Sequence, residues 1–111
     1  MPPLDHERRA QPRIVPSQEV RVDYPGIRSR VRNISLSGAF IEDPRPIPRG
    51  RVLQLAFYTG DKNPIAVKAM VRRIEPDVGM GVEFIEMSSD DRKRLREFVG
   101  ITAKIERLQS F

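Results

Sequence analysis

The chain has 111 residues, 39% of them apolar, with no cysteine, one histidine and a net charge of +5. That length fits one domain with a single modest core. The absence of cysteine excludes disulfides, thiolate catalysis and Cys-based zinc sites, and the longest apolar run falls far short of a membrane span. The polar opening "MPPLDHERRA" lacks the apolar stretch of a signal peptide, so the expected compartment is the cytoplasm.

Residues 1–18 hold four of the ten prolines and no sustained periodicity, which predicts a flexible N-terminal arm. Beyond it, "EVRVD", a Pro-Gly turn in "YPGI", and "IRSRVRNI" read as a β-hairpin. "GAFIED" is a short strand, and the prolines of "PRPIPRGR" keep that loop out of any central ladder. "VLQLAFY", the turn "TGDKNP" and "IAVKAMVRRI" give two more strands, the latter with Ile65, Val67, Ala69 and Val71 on one face. "EPDVG" turns the chain into a last strand, "MGVEFI". Six short strands separated by turn signals predict a small antiparallel barrel or sandwich, not a parallel α/β sheet.

The period then switches. "SSDDRKRLREFVG" begins with Ser88 and Asp91 at capping spacing, has acidic residues in its first turn and ends at Gly100. Leu95, Phe98 and Val99 share a helical face suited to closing one barrel end. These signals divide the chain into an arm (1–18), a barrel with its closing helix (19–100) and a helical extension (101–111). The extension is either a second short helix or a continuation through Gly100, at a cost of about 1 kcal/mol against alanine.

Enzyme signals are absent. His6, the sole histidine, lies in the arm, and no carboxylate pair suits acid–base work. Neither a GxxxxGK[ST] loop nor a GxGxxG after a strand occurs, so the expectation is a protein with no catalytic residues, no metal and no cofactor. Charge points to an anionic partner. Residues 8–32 contain seven arginines against Glu19 and Asp23, which accounts for all of the +5, and arginine outnumbers lysine 16 to 4. A guanidinium offers a planar fork to phosphate and to guanine edges. Arg28, Arg30 and Arg32 alternate along one strand, the pattern of a solvated face.

Two short motifs sharpen this. Arg9 and Arg13 stand four residues apart with Arg8 adjacent, and about 20 residues later "NISLSG" places Asn33, Ser35 and Gly38 as N-x-S-x-x-G. Read alone, the first is solubilising charge and the second an ordinary strand-to-turn corner. In this order and context, with "GMGVEF" at 79–84 and a terminal helix, the chain resembles the PilZ domain family over roughly residues 7–99. The resemblance implies a six-stranded antiparallel β-barrel that binds cyclic di-GMP and does no catalysis. It assigns Arg9 and Arg13 to phosphates and guanine edges, Asn33 and Ser35 to a guanine, and Gly38 to a tight turn close to the ligand. Asn33 stands where the family often has Asp, leaving one acceptor oxygen in place of two. Arg8 implies a stacked ligand dimer. Arg72 and Arg73 on the barrel wall, and Gly81, are weaker ligand candidates.

On this reading the arm orders on binding and an effector protein reads the change, in motility, attachment, exopolysaccharide production or development. A homodimer through the 95–109 seam is a further option, and membrane association is not expected. A small basic barrel that binds nucleic acid is the alternative, poorly served by 6% aromatics and no tryptophan. A ligand-free scaffold of the same fold is another.

Overall fold

In the computed structural model, residues 13–16, 20–60 and 63–109 are described. The strands are β1 (Val20–Tyr24), β2 (Ile27–Ile34), β3 (Gly38–Glu42), β4 (Val52–Tyr58), β5 (Ile65–Glu75) and β6 (Gly79–Glu86), followed by one helix, α1 (Ser89–Gln109). All neighbours are antiparallel, and the order β1-β2-β3-β6-β5-β4 closes through the β1–β4 pair, so no strand edge is left open among the described residues. The expected barrel with a C-terminal helix is the observed fold.

Alternation builds the interior. Val20, Val22 and Tyr24 of β1, Leu55 and Phe57 of β4, and Ile65, Val67, Ala69 and Val71 of β5 face inward with Ile34, Ile41, Met80 and Val82. Phe57 meets Phe84 edge-on, with ring centroids 5.6 Å apart. Pro25 and Gly26 form the β1–β2 turn, where Gly26 has φ 79°, the left-handed backbone that the third position of a type II turn requires.

Of three register shifts among the described residues, one lies at Lys68/Ala69 on β5 and the other two shape the outer face of the barrel. The β2–β3 register shifts between Val31 and Asn33, and the β5–β6 register shifts between Val71 and Arg73. Each bulge inserts one extra residue, Arg32 or Arg72, and flips the side-chain sense after it. Val31 and Ile34 therefore both lie inside, while Arg32 and Asn33 both point out. Arg72 and Arg73 are likewise consecutive outward residues.

The strands fix two ends. One holds the β1–β2 and β5–β6 turns and the 43–51 loop. Here Tyr24 donates from Oη to the buried Asp43 (2.5 Å), whose other oxygen accepts the Arg45 backbone N–H (2.8 Å). Burial first, then the Asp43 hydrogen bond, pushes the Tyr24 hydroxyl well above the usual phenol range. The other end holds the 35–37 corner and α1. Ser88 Oγ accepts the Asp91 N–H (3.1 Å), the capping bond expected from their spacing. Leu95 packs into the barrel end, Asp91 accepts the Ala66 N–H (3.3 Å), and Arg94 donates to the carbonyls of Asn63 and Pro64.

The helix does not stop at Gly100. It runs unbroken to Gln109, so the boundary between closing helix and extension at 100/101 falls inside one element. Gly100 is exposed, with nothing near the position of a Cβ, so the helix passes it without steric cost. Most of the predicted arm, including Arg8 and Arg9, lies outside the described residues. Its 13–16 part is held against β2: Ile14 is buried and exchanges two backbone hydrogen bonds with Ile34 (2.8 and 3.0 Å).

Candidate functional site

Pinning Ile14 to Ile34 brings Arg13 beside the end of β2, where its Nη1 donates to Asn33 Oδ1 at 2.8 Å. The two motifs, 20 residues apart in sequence, are thus one contact in space. The β2 bulge makes this contact available: without the extra residue at Arg32, strict alternation from Val31 would turn Asn33 into the barrel.

The corner from Ser35 to Gly38 is self-contained. Ser35 is 1% exposed, and its Oγ accepts the Ser37 N–H (3.2 Å) and lies 3.4 Å from the Gly38 carbonyl and 3.3 Å from Ser37 Oγ. The Ser35 N–H donates to Gly38 O (2.8 Å), and Ser37 O accepts from Phe84 N–H (2.8 Å), tying the corner to β6. Gly38 has no positive φ. Its missing Cβ is needed because one there would overlap the Val82 carbonyl oxygen across the β3–β6 ladder. Strand-to-strand approach gives this glycine a physical reason of its own, beside the close ligand approach inferred from the sequence. Gly79 is under the same constraint from the Ile41 carbonyl.

From Asn33 a row runs around the outside of the barrel. Asn33 pairs with Phe40, Phe40 with Gly81, and Gly81 with Arg73, crossing β2, β3, β6 and β5. Phe40 is 2% exposed yet stands apart from the interior cluster, because its cover comes from outside. Arg32 places its guanidinium 5.0 Å from the Phe40 ring centroid, and Arg73 places its own at 5.8 Å, each a cation–π distance. Sequence reasoning missed Phe40, since a phenylalanine in "GAFIE" reads as core; the alternation of β3, with Ala39 and Ile41 inside, sets it outward, and the β2 bulge brings Asn33 opposite it.

The weaker candidates separate. Arg72 is bound to Glu83 at 2.6 Å and so spends its charge on the sheet. Arg73 lies against Gly81, where a Cβ would stand 3.6 Å from its Cβ and Nε.

The other arginines are offset in pairs. Arg30 and Arg32 share Glu42 (2.7 and 3.4 Å), and Arg21 and Arg28 share Asp23 (3.5 and 3.6 Å). The Arg30 hydrogen bond, against some desolvation and aided by the charges of Arg30 and Arg32, holds the Glu42 carboxyl below its ordinary value of 4.5. The expected solvated row of Arg28, Arg30 and Arg32 is therefore laced with carboxylates. A hollow of about 510 Å³ lies elsewhere, at the β1–β2 turn, lined by Asp23, Tyr24, Pro25, Gly26, Ile27, Arg28 and Gln54. It is open to solvent and contains none of the motif residues. Among the described residues no cluster of His, Asp and Glu is arranged for a metal, and no helix is long and apolar enough to cross a membrane.

Comparison with known proteins fits this geometry. The family model of the PilZ domain matches residues 7–100. No curated protein matches. Among solved structures, the Bacillus subtilis inhibitor of motility (MotI/DgrA) is similar at 25% identity and TM-score 0.68, covering 93% of this chain and 52% of its own. YcgR from Escherichia coli in complex with c-di-GMP is similar at 16% identity and TM-score 0.76, over 93% of this chain and 49% of that one. The separate PilZ domain of YcgR with c-di-GMP aligns at 16% identity and TM-score 0.71, over 93% and 97%. This chain thus spans about half the length of the motility inhibitor and of whole YcgR.

Proposed function

Because the chain belongs to the PilZ domain family, we propose that it is a non-catalytic receptor for cyclic di-GMP, bound on the outer face where Arg13 meets Asn33. The observation that carries this reading is that single contact: it joins two motifs whose residue types suit a phosphorylated guanine ligand. Arg13 and its neighbours Arg8 and Arg9 supply forks for phosphates and guanine edges. Asn33 offers a donor and an acceptor to a base once Arg13 turns to the ligand. Ser35 and Gly38 act by holding the corner that presents Asn33, since the Ser35 hydroxyl is engaged internally. The pairing of Arg28, Arg30 and Arg32 with Asp23 and Glu42 favours this ligand over nucleic acid, which needs a continuous run of available cations.

Signalling follows from the same contact. A ligand that takes Arg13 changes the segment next to the Ile14 bridge, and an effector protein reads that change, with motility one output in view of the motility inhibitor's similarity. Arg8 adds the charge a stacked ligand dimer needs. The test is calorimetric titration with cyclic di-GMP of the wild type and of Arg9→Ala/Arg13→Ala. Saturable binding lost in the double variant supports the receptor reading, and a stoichiometry of about two supports the ligand dimer. A wild type that releases no heat overturns the reading.

A further inference from the structure

We infer that Arg73, laid across Gly81, is a specificity-determining contact that forks onto the edge of a guanine; this rests on the receptor reading above. Three observations converge. Arg73 stands in the same cross-strand row as Asn33, with only Phe40 and Gly81 between them. Strands spaced about 4.8 Å apart put the two ends of that row within the reach of one dinucleotide-sized ligand. The guanidinium is also held in place: the stem lies on the side-chain-free surface of Gly81 and the head leans on the Phe40 ring at 5.8 Å. Finally, it is unspent. Its sequence neighbour Arg72 is bound to Glu83 and Arg32 shares Glu42, whereas Arg73 has no carboxylate partner among the described residues.

The β5 bulge explains why. An outward side chain on regular β5 would be followed by an inward one, but the extra residue makes Arg72 and Arg73 both outward. One satisfies Glu83 and the other is available to a ligand. A flat patch built from backbone, glycine and a covered aromatic ring suits a planar base more than a tetrahedral phosphate. A guanidinium lying along such a patch presents its N–H fork sideways, toward the O6 and N7 acceptors of a guanine.

The test is titration of the full chain with cyclic di-GMP and cyclic di-AMP, in the wild type, Arg73→Ala, Arg73→Lys, Gly81→Val and Arg96→Ala. Arg96 is an exposed arginine of α1, which closes the end of the barrel away from the β5–β6 turn that follows Arg73, and controls for net charge. Arg73→Ala is expected to weaken cyclic di-GMP by about tenfold and to lower the preference over cyclic di-AMP by the same factor. Lysine does not rescue, because it keeps the charge and loses the fork. Gly81→Val, whose side chain lifts Arg73 off the sheet, falls with Arg73→Ala, and thermal unfolding checks that its fold persists. Arg96→Ala binds as the wild type. The inference is overturned if Arg73→Ala binds normally, if lysine restores full affinity, if both ligands weaken equally, or if Arg96→Ala loses as much. A wild type that binds neither ligand overturns the receptor reading, and this one with it.

Discussion

The Ser35–Gly38 corner and the Asn33–Phe40–Gly81–Arg73 row share strands β2, β3 and β6, yet they use small and polar residues for opposite purposes. In the corner Ser35 and Gly38 serve the fold: Ser35 satisfies its own turn, and Gly38 lets β3 approach β6. In the row such residues are turned outward: Gly81 makes a bed for an arginine and Asn33 accepts one. A short motif can therefore mix residues that hold a surface in shape with residues that face what the surface meets. Residue type does not separate the two classes. The strands do: alternation on β3 and β6 turns Phe40 and Gly81 outward, and the β2 and β5 bulges bring Asn33 and Arg73 to the same side.

Glycine substitutions set corner and row apart most sharply. Gly38→Ala pushes a methyl into the Val82 carbonyl and is expected to cost about 3 kcal/mol or more, read as a drop in the urea midpoint. Gly81→Ala meets nothing closer than 3.6 Å and is expected to leave stability unchanged or raised by about 0.5 kcal/mol. Equal effects at the two positions would erase the distinction between corner and row.

Ser35→Ala removes the side-chain acceptor of the part-buried Ser37 N–H and should lose about 1 kcal/mol in chemical denaturation. Asn33→Ala, on the exposed side of the same motif, should change stability by less than about 0.5 kcal/mol while weakening cyclic di-GMP in calorimetry.

The smallest effect concerns Glu42. Its carboxyl is held below 4.5 in the folded chain, so the stability it contributes is present above that value and fades as pH falls through the depressed one. Exposure limits the change to less than about 0.5 kcal/mol. Glu42→Gln should flatten the part of a stability–pH curve that falls away below pH 4.5.

Much of the fold was legible. "IRSRVRNI" and "VLQLAFY" gave strand bounds identical to those of β2 and β4, because turn residues flank clean alternation on both sides. Ser88 and Asp91 marked the start of α1 through a capping bond that forms. Its end was not legible: Gly100 reads as a stop, but at an exposed position its only cost is propensity, and the helix absorbs it. The outer row was hidden for a different reason. The spacing Ile27, Ser29, Val31, Asn33 is a plain period of two, and nothing in it announces that Arg32 is an extra residue. Phe40 and Arg73 become neighbours only because β6 lies between β3 and β5 in the strand order.

Following backbone amide resonances while cyclic di-GMP is added to the full chain locates the binding face without any substitution. Binding on the outer row predicts the largest shifts at Arg13, Asn33, Phe40, Gly81 and Arg73, with the Asp23–Arg28 turn and its hollow unmoved. Shifts concentrated on that hollow, or none anywhere at saturating ligand, would contradict it.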